Sequence, residues 1–354
     1  MYVHDLSPFL WRITDDFGIR WYGFSYMLGL VLAFLIIRWM TMRQRAGMSS
    51  QQIIDFVALC AVGALVGGRL GYCFFYAPDL FLKFKSEFPF WGVFALGEGG
   101  MSSHGGIFGI AIVATLFAVR TGLSRLYLYD LAALAGTIGI FFGRIANFIN
   151  SEMIGRLSDP GFPFSVKFPS EICQWAVNDV PRLSELNSIV AQIPGLTGEQ
   201  WVEWLEKFQT SDEAKASVNE TLLKIIEAIQ NGNETIKNAL APLLSARHPS
   251  QLYAAAGEGL FLFLFLFLFW RRPRRPGVVG ATFLIFSAGI RIIDEQFRMP
   301  DLLIGYQLFG LTRGQWLSIV MLVMGLVLWF AWGRRETLPT SGWGHGHSVR
   351  LHRR

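Results

Sequence analysis

Residues 261–270 read FLFLFLFLFW, an unbroken run of apolar side chains. The alternation of Phe and Leu does not predict a strand, because both residue types are apolar and neither face of such a strand would be polar. The residues from 250 onward are also mainly apolar, and the run ends at Arg271. A segment of about 20 residues without a polar stripe is typical of a helix embedded in lipid.

Mainly apolar windows of similar length recur along the chain. They predict seven spanning helices, at roughly 18–40, 52–76, 104–120, 130–150, 250–270, 277–294 and 314–333. Of the 354 residues, 52% are hydrophobic and only 16% are charged, whereas soluble proteins carry about 25% charged residues. This excludes an ordinary soluble domain. The predicted fold class is an all-α polytopic membrane protein, with seven transmembrane helices and a mostly helical extracytoplasmic head.

The short loops differ in basic charge, which predicts the orientation of the chain. The loops of one side carry Arg38, Arg43, Arg45, Arg120, Arg125, Arg271, Arg272, Arg274, Arg275, Arg334, Arg335, Arg350, Arg353 and Arg354. The opposite loops carry only Lys83, Lys85, Arg298 and Arg313. Because the arginine-rich side is expected to be cytoplasmic, the N-terminus is predicted outside and the C-terminus inside. The first residues lack the basic region of a cleavable signal peptide, so the first apolar run is expected to be a retained span.

This topology divides the chain into four regions. Residues 1–150 contain spans one to four with an outer arm at 77–103, residues 151–247 form an outer head, residues 248–335 contain spans five to seven, and residues 336–354 form a basic cytoplasmic tail. In the head, acidic residues outnumber basic ones, and the segments 198–208 and 219–240 have a helix-like spacing of apolar residues. The end of the tail, 341–354, is expected to be an unstructured terminus.

The net charge of +5 does not predict a nucleic-acid partner, because most arginines lie beside apolar runs, where membrane topology explains them. Cys60, Cys73 and Cys173 form no CxxC pair and show no spacing with histidine that suggests a metal site. Cys60 and Cys73 lie in apolar runs and are expected to be small buried hydrophobic residues.

One apolar run, 131–142, ends in the polar stretch GRIANFINSEMIGR, residues 143–156. On a helix, Arg144, Asn147 and Asn150 fall within an arc of about 120°. A guanidinium and two amides on one face suit a phosphate or a carboxylate ligand. Alternatively, these groups satisfy loop carbonyls at the end of the span.

Three further places put polar groups where lipid would be unfavourable. Arg69 lies in GGRLGYCFFY (67–76), where Gly67, Gly68 and Gly71 permit close helix packing; it is either a site residue or the partner of a neighbouring carboxylate. His104 lies between small residues at the start of the third span, and an imidazole exchanges protons near neutral pH; a lone histidine is also commonly structural.

The stretch RIIDEQFRMPD (291–301) places Arg291, Glu295 and Arg298 on one helix face. An interfacial ion pair is the simpler explanation, although Arg291 lies about one turn deeper than such a pair requires. Arginines, a histidine, hydroxyls and amides around a membrane-buried site suit an anionic lipid head group or an anion channel. The residues alone leave both a phospholipid-processing enzyme and a transporter open.

The chain resembles the prolipoprotein diacylglyceryl transferases of bacterial inner membranes. The stretch 143–156 is similar to the family signature G-R-x-x-N-F-I-N-x-E followed by a G-R pair. Five supporting matches appear in the family's order: RWYGFSY (20–26), GGRLGYCFFY (67–76), SSHGG (102–106), HPSQLY (248–253) and RIIDEQFRMPD (291–301). Together they cover nearly the whole membrane part.

The resemblance implies a reaction and its partners. Phosphatidylglycerol, a membrane lipid, donates its diacylglyceryl group to the thiol of the lipobox cysteine in a prolipoprotein signal peptide. A thioether forms and glycerol 1-phosphate leaves, and the reaction requires neither a metal nor another cofactor. The thiol must be deprotonated to attack, and arginines that meet the growing charge on the leaving phosphate lower the barrier.

The resemblance also implies residue roles. Arg144 is expected to bind the phosphate with Asn147 beside it, Arg291 to stabilise the leaving group, and His104 to act as the base. Glu295 is expected to hold an arginine rather than to act as a base. The remaining residues assigned to substrate binding or positioning are Tyr26, Arg69, Tyr76, Asn150, Glu152 and Gly155.

Two departures from the family pattern stand out. Family members often carry a tyrosine one turn before the sixth-span arginine, where this chain has Ser287. The serine side chain is shorter than a tyrosine side chain. Any function that requires the longer side chain must therefore be performed by another group. The head is also longer than expected, and 178–245 is predicted to be an insertion.

Overall fold

The computed structural model describes residues 1–14, 18–96, 99–299, 305–337 and 339–344. These residues are mostly helical. The α-helices are α1 Trp21–Gln44, α2 Ser50–Phe75, α3 Ser103–Thr121, α4 Arg125–Ile149, α5 Glu171–Asn178, α6 Asn187–Val190, α7 Gly198–Glu206, α8 Asp212–Gln230, α9 Glu234–Leu240, α10 Ser250–Ala254, α11 Leu262–Phe269, α12 Val278–Asp294 and α13 Arg313–Gly333. A wider, π-helical segment, Ala255–Phe261, joins α10 to α11.

Within the described ranges, six helices are long and apolar enough to cross a membrane. They are α1, α2, α3, α4, the continuous helix Ser250–Phe269 and α13. These helices match six of the seven predicted windows, so the prediction of a mostly helical, multi-pass membrane protein is confirmed. The remaining window contains α12, which has only 17 residues and would rise about 25 Å. The count of seven spans therefore stays a prediction.

The chain folds as two compact units. The first unit comprises Met1–Ser25, Arg144–Tyr253 and Phe297–Met299. The second comprises Tyr26–Gly143, Ala254–Gln296 and the described residues after Met299. These units follow different boundaries from the four regions expected along the sequence, and the membrane location of each region stays a prediction.

In the second unit, α2 and α3 pack backbone to backbone. A Cβ atom added at Gly67 would meet the backbones of Gly105 and Gly109, and one at Gly71 would lie 2.7 Å from the Cα of Gly105. The expectation that Gly67 and Gly71 permit close helix approach is therefore correct. Gly68 faces the side chain of Met101 instead.

A buried carboxylate determines where α12 begins. Asp130 of α4 is fully buried and accepts hydrogen bonds from the N–H groups of Gly277 (2.8 Å) and Gly280 (2.7 Å). The first N–H groups of a helix have no partner within the helix, so an outside acceptor stabilises this end. Asp130 thus ties the start of α12 to α4.

The chain after α13 folds back onto the second unit. Thr340 and Arg274 exchange backbone hydrogen bonds of 2.7 and 3.2 Å, and the indole N–H of Trp343 donates to the carbonyl of Phe267 at 2.7 Å. The Trp343 ring packs on Phe267, with centroids 4.7 Å apart, and on Trp39 at 5.6 Å. The expectation of an unstructured end from residue 341 is therefore wrong for 341–344, because Trp343 has an apolar surface to cover. Residue 338 and the rest of the tail, 345–354, lie outside the described residues.

The first unit contains two small sheets, which the all-α prediction did not include. Tyr2–Val3 (β1) pairs in parallel with Val166–Lys167 (β4), and Phe9–Arg12 (β2) pairs in antiparallel with Gly18–Arg20 (β3). Both sheets involve residues that precede α1.

The predicted insertion, 178–245, contributes α6 to α9. Its two predicted helical segments are present, but the second is broken at Asn231–Asn233, and Asn233 caps α9 by accepting from the N–H of Ile236. The helices surround an apolar core; its fully buried side chains include Trp201, Leu183, Val218, Leu222 and Ile225. Two ion pairs attach the N-terminal segment to this part: Lys237–Asp5 at 2.7 Å and Arg12–Glu227 at 2.9 Å.

Acid should weaken the first unit through Glu171. Burial raises the pKa of this carboxyl, but hydrogen bonds from Arg247 and Ser245 and the charge of Arg247 outweigh burial, so its pKa is lowered from 4.5. A lowered pKa stabilises the fold above pH 4.5, and this contribution is lost as the pH falls through the folded-state pKa.

The measurement is thermal unfolding of the detergent-solubilised full chain between about pH 3 and pH 7. Glu171→Gln should lower the stability at neutral pH and flatten the acid dependence. Glu185→Gln, which removes an exposed acid near Arg182, is the matched control. An acid dependence that is as steep in Glu171→Gln as in the unmodified chain would contradict the assignment.

Candidate active site

The end of α4 carries a cluster of hydrogen-bonded polar side chains in the first unit. The amide of Asn147 donates to the hydroxyl of Tyr22 and to the carboxylate of Glu152, the latter at 3.1 Å. The Tyr22 hydroxyl donates to the same carboxylate oxygen at 2.7 Å. Asn147 is buried, whereas Glu152 is exposed. Two donors thus orient one carboxylate at an accessible position.

The backbone after α4 holds this cluster in place. Ser151 and Met153 both have positive φ, at 57° and 50°, a conformation that side-chain-bearing residues rarely adopt. The N–H of Glu152 donates to the carbonyl of Asn147 at 3.0 Å, and the amide of Gln251 donates to the carbonyl of Glu152 at 2.5 Å. Strained backbone that neighbouring hydrogen bonds hold in place is typical of functional sites.

Arg144 and Arg298 converge on one sulfur atom. The guanidinium of Arg144 contacts the thioether of Met153 at 3.8 Å, and that of Arg298 contacts it at 3.4 Å. Both arginine side chains are half-buried. Two guanidinium groups from separate parts of the chain thus lie close to one side chain.

Close contacts with neighbouring backbone require a glycine at position 155. A Cβ atom there would meet the carbonyl oxygens of His248 and Phe297. The next residue, Arg156, donates from its backbone N–H to the carbonyl of Phe297 (2.9 Å) and from its side chain to that of Arg298 (2.7 Å). The predicted G-R pair therefore fixes the chain segment that bears Arg298.

In the second unit, Arg291 of α12 lies between two carboxylates. Its guanidinium is 3.2 Å from Glu258 and 3.9 Å from Glu295. Glu258 and Glu295 are buried, 5% and 6% exposed. Glu258 belongs to the π-helical segment, a local widening that recurs at functional sites. A buried charge needs such partners to be stable.

Glu295 is also held by the first turn of α13. The hydroxyl of Thr312, the residue that caps α13, donates to Glu295 at 3.1 Å, and a Cβ on Gly314 would lie 3.2 Å from the same carboxylate. The partial positive charge of a helix N-terminus favours a carboxylate there. The contacts of Glu295 thus suit an anchor for Arg291.

His104 of α3 contacts α13. Its Nε2 atom lies 3.2 Å from the hydroxyl of Ser318, which donates to the carbonyl of Gly314 at 2.8 Å. Ser318 is fully buried. His104 also interacts electrostatically with Arg291, Glu258 and Glu295.

Arg69 is bound entirely by backbone carbonyls. Its side chain donates to Val93 and Gly92 at 2.8 Å, to Ala95 and Gly100 at 3.1 Å, and to Gly99. A guanidinium has five N–H groups, and these five acceptors match that number. The contacts suit the organisation of residues 92–95 and 99–100 of the arm, and within the described residues they go to carbonyls and not to a carboxylate. The assignment of Arg69 to substrate binding stays a prediction.

The other predicted site residues occupy varied surroundings. Tyr26 is 58% exposed on α1, Tyr76 stacks on Tyr72 with ring centroids 5.6 Å apart, and Ser287 is buried on α12. The side-chain oxygen of Asn150 is buried with no hydrogen-bond partner among the described residues. No group of three or more His, Cys, Asp or Glu within the described ranges is arranged to hold a metal ion.

Comparison with known proteins identifies the family. The family model described as "Prolipoprotein diacylglyceryl transferase" matches residues 8–331. The chain belongs to this family. A phosphatidylglycerol–prolipoprotein diacylglyceryl transferase of Bdellovibrio bacteriovorus is 54% identical over 352 residues, covering 99% of this chain and 100% of the relative.

More distant relatives carry the same name. The Nitrobacter winogradskyi protein is 35% identical over 92% of this chain and 90% of its own length. The Burkholderia thailandensis protein is 33% identical over 90% of this chain and 92% of its own length. The similarity therefore includes the head as well as the membrane part.

Sequence reasoning did not assign Tyr22, Glu258 or Ser318 to the site, and it misplaced Arg298. Tyr22 lies one turn before Tyr26 in the same motif. Arg298 was expected on one helix face with Arg291 and Glu295, but α12 ends at Asp294, and Arg298 contacts Met153 instead. Glu258 is an acid in the most apolar part of the chain, a position whose cost in lipid signals a specific partner. Ser318 gave no signal, because a serine in a spanning helix commonly bonds to its own backbone.

Arg69 should control the order of the arm. In Arg69→Lys, an ammonium with three N–H groups cannot satisfy five carbonyls. We expect faster hydrogen exchange at the amides of Gly92, Phe94 and Ala95, measured by mass spectrometry on the full chain. Arg38→Lys, at an arginine that bonds to Ser50 of α2, is the control. Unchanged exchange in Arg69→Lys would remove Arg69 as the organiser of the arm.

Proposed function

We propose that this chain transfers the diacylglyceryl group of phosphatidylglycerol to the cysteine thiol of a prolipoprotein lipobox, forming a thioether and releasing glycerol 1-phosphate. The observation that carries the proposal is the 54% identity, over essentially the whole of both chains, to a relative with that name. The transporter alternative receives no comparable support. The substrates are a membrane lipid and a secreted protein with its signal peptide.

In the proposed topology α12 also crosses the membrane, as the sixth of seven spans in chain order, although it is short. The hydrogen bonds between Thr340 and Arg274 support this count. They place the chain just after α13 beside the chain just after α11, so the two ends lie on the same side. If α13 crosses the membrane, α12 must cross it too. The basic residues near both ends are then cytoplasmic, and the N-terminus and the head are periplasmic.

Arg144 binds the phosphate in this proposal, and Arg298 is its second ligand. Both guanidinium groups contact the thioether of Met153. Two guanidinium groups side by side suit a phosphate, whose charged oxygens accept paired hydrogen bonds from the planar arginine side chain. Asn147, Glu152 and Tyr22 position the lipid glycerol, since their network ends on an exposed carboxylate.

Arg291 stabilises the leaving glycerol phosphate. The phosphodiester has one negative charge and the departing monoester gains a second, so a fixed cation favours the transition state over the ground state. Glu258 and Glu295 hold the guanidinium and limit its motion. A preoriented cation costs no reorganisation during the reaction.

His104 is the base for the thiol. The thiolate is the nucleophile, and a thiol is mostly protonated at neutral pH. Histidine is the side chain that most often serves as a general base in such a proton transfer. The contact of its Nε2 atom with the hydroxyl of Ser318, at 3.2 Å, holds the ring against α13.

The reaction is tested with purified protein in phosphatidylglycerol-containing micelles and a lipobox peptide. We expect a peptide heavier by one diacylglyceryl group, a thioether shown by mass spectrometry, and one glycerol 1-phosphate per peptide. A peptide with serine in place of the lipobox cysteine is the control. Absence of the thioether product under conditions in which the Bdellovibrio relative works would refute the function.

The arginine roles predict graded losses. Arg144→Ala should reduce turnover by roughly a hundredfold, the loss of a charge-assisted contact to a developing anion, and Arg298→Ala by roughly tenfold. Arg125→Ala, at the exposed opposite end of α4, is the matched control. Full activity in Arg144→Ala would exclude it from phosphate binding.

Arg291→Ala leaves two buried carboxylates unpaired and is expected to destabilise the fold. The informative variant is Arg291→Lys, which keeps the positive charge but lacks the planar guanidinium and its fixed arrangement of N–H donors. Its turnover should fall by roughly tenfold with the thermal midpoint little changed. Unchanged turnover in a folded Arg291→Lys protein would contradict a geometric role for the guanidinium.

His104→Gln should abolish turnover, and an active variant would remove His104 from the mechanism.

A further inference from the structure

The contact between α3 and α13 determines which nitrogen of His104 carries a proton. Ser318 has a single hydroxyl proton and lies 2.8 Å from the carbonyl of Gly314, a group that only accepts hydrogen bonds. The hydroxyl proton is therefore donated to Gly314. Toward His104, 3.2 Å away, the serine oxygen presents only lone pairs.

A stable contact with those lone pairs requires a proton on Nε2 of His104. A neutral imidazole has one protonated nitrogen and one acceptor nitrogen, and the hydrogen bond at one nitrogen determines the state of the other. We propose that Ser318 is a positioning residue, which holds neutral His104 with Nε2 protonated and leaves Nδ1 as the acceptor for the thiol proton.

The charged groups around His104 do not determine which ring nitrogen carries the proton. Arg291, Glu258 and Glu295 interact with His104 electrostatically, and none of the hydrogen bonds described for His104 involves them. These long-range effects change how readily the ring gains a second proton. The position of the first proton depends on a direct contact, and among the hydrogen bonds described for this side chain that contact is with Ser318.

The inference, which rests on the proposed function for its kinetic consequence, completes the proton path. The thiol proton passes to Nδ1, giving an imidazolium and a thiolate. The sulfur electron pair forms the new S–C bond to the diacylglyceryl carbon. The C–O bond between that carbon and the phosphate breaks, and its electron pair leaves with glycerol 1-phosphate. Ser318 stabilises the imidazolium by accepting from Nε2–H throughout.

The first two turns of α13 thus hold two groups of the proposed chemistry. Thr312 orients Glu295, the partner of Arg291, and Ser318 orients His104. Gly314 connects the two contacts, because its carbonyl accepts from Ser318 while its Cα lies against the Glu295 carboxylate. The N-terminal end of α13 is therefore polar, although the rest of this helix is mainly apolar.

The tautomer is tested directly by nitrogen-15 NMR on the full chain, labelled at its histidines, in phosphatidylglycerol nanodiscs. His104→Gln identifies the resonances of His104. We expect Nε2 protonated and Nδ1 unprotonated at pH 8 in the unmodified protein, and a measurable Nδ1-protonated population in Ser318→Ala. A His104 ring with Nδ1 protonated in the unmodified protein, or identical populations in Ser318→Ala, overturns the proposal.

Turnover supplies the second readout. Ser318→Ala should lower kcat by roughly tenfold, as for one hydrogen bond to an ionisable group, with KM for phosphatidylglycerol unchanged. Ser318→Thr, which retains the hydroxyl, should restore most of the rate. Thr282→Val is the control, because Thr282 bonds to its own helix at the same spacing. A Ser318→Ala protein with the unmodified kcat overturns the proposal. If the unmodified protein forms no thioether, the proposed function fails, and the NMR result still decides the tautomer.

Discussion

A guanidinium held away from water is stable only when other groups replace the water that its N–H groups and its charge have lost. Two arginines of the second unit meet this condition in different ways. Arg69 uses five backbone carbonyls and thereby shapes the arm that supplies them. Arg291 uses two buried carboxylates, one from a widened helical turn and one held by the start of α13.

The partner of each arginine indicates what the arginine is available to do. Backbone carbonyls accept all the hydrogen bonds described for Arg69, which suits a role in organising the arm. Arg144 and Arg298 lie beside the same thioether after α4, an arrangement of two guanidinium groups that suits a phosphate. The sequence context does not distinguish these situations, because all three arginines lie at the ends or in the interior of apolar runs.

The membrane character, six of the spans and the main polar clusters were predictable from the sequence. Apolarity over a span and the cost of buried charge depend on residue type alone, so Arg144, Arg291 and His104 were identified without coordinates. The partners were not predictable, because they come from distant positions in the chain: Tyr22 for Asn147, Glu258 for Arg291 and Ser318 for His104. The docked segment 341–344 was missed because glycine-rich, basic ends are usually mobile, and the contact of Trp343 with Phe267 is a tertiary effect.

The glycine contacts between α2 and α3 have a consequence for the path of a lipid through the bilayer. Two backbones that leave no space for a methyl group at Gly67 and Gly71 leave none for an acyl chain. An acyl chain therefore cannot pass between α2 and α3 at these two positions. A double-chained lipid that approaches the second unit has to pass beside other helices.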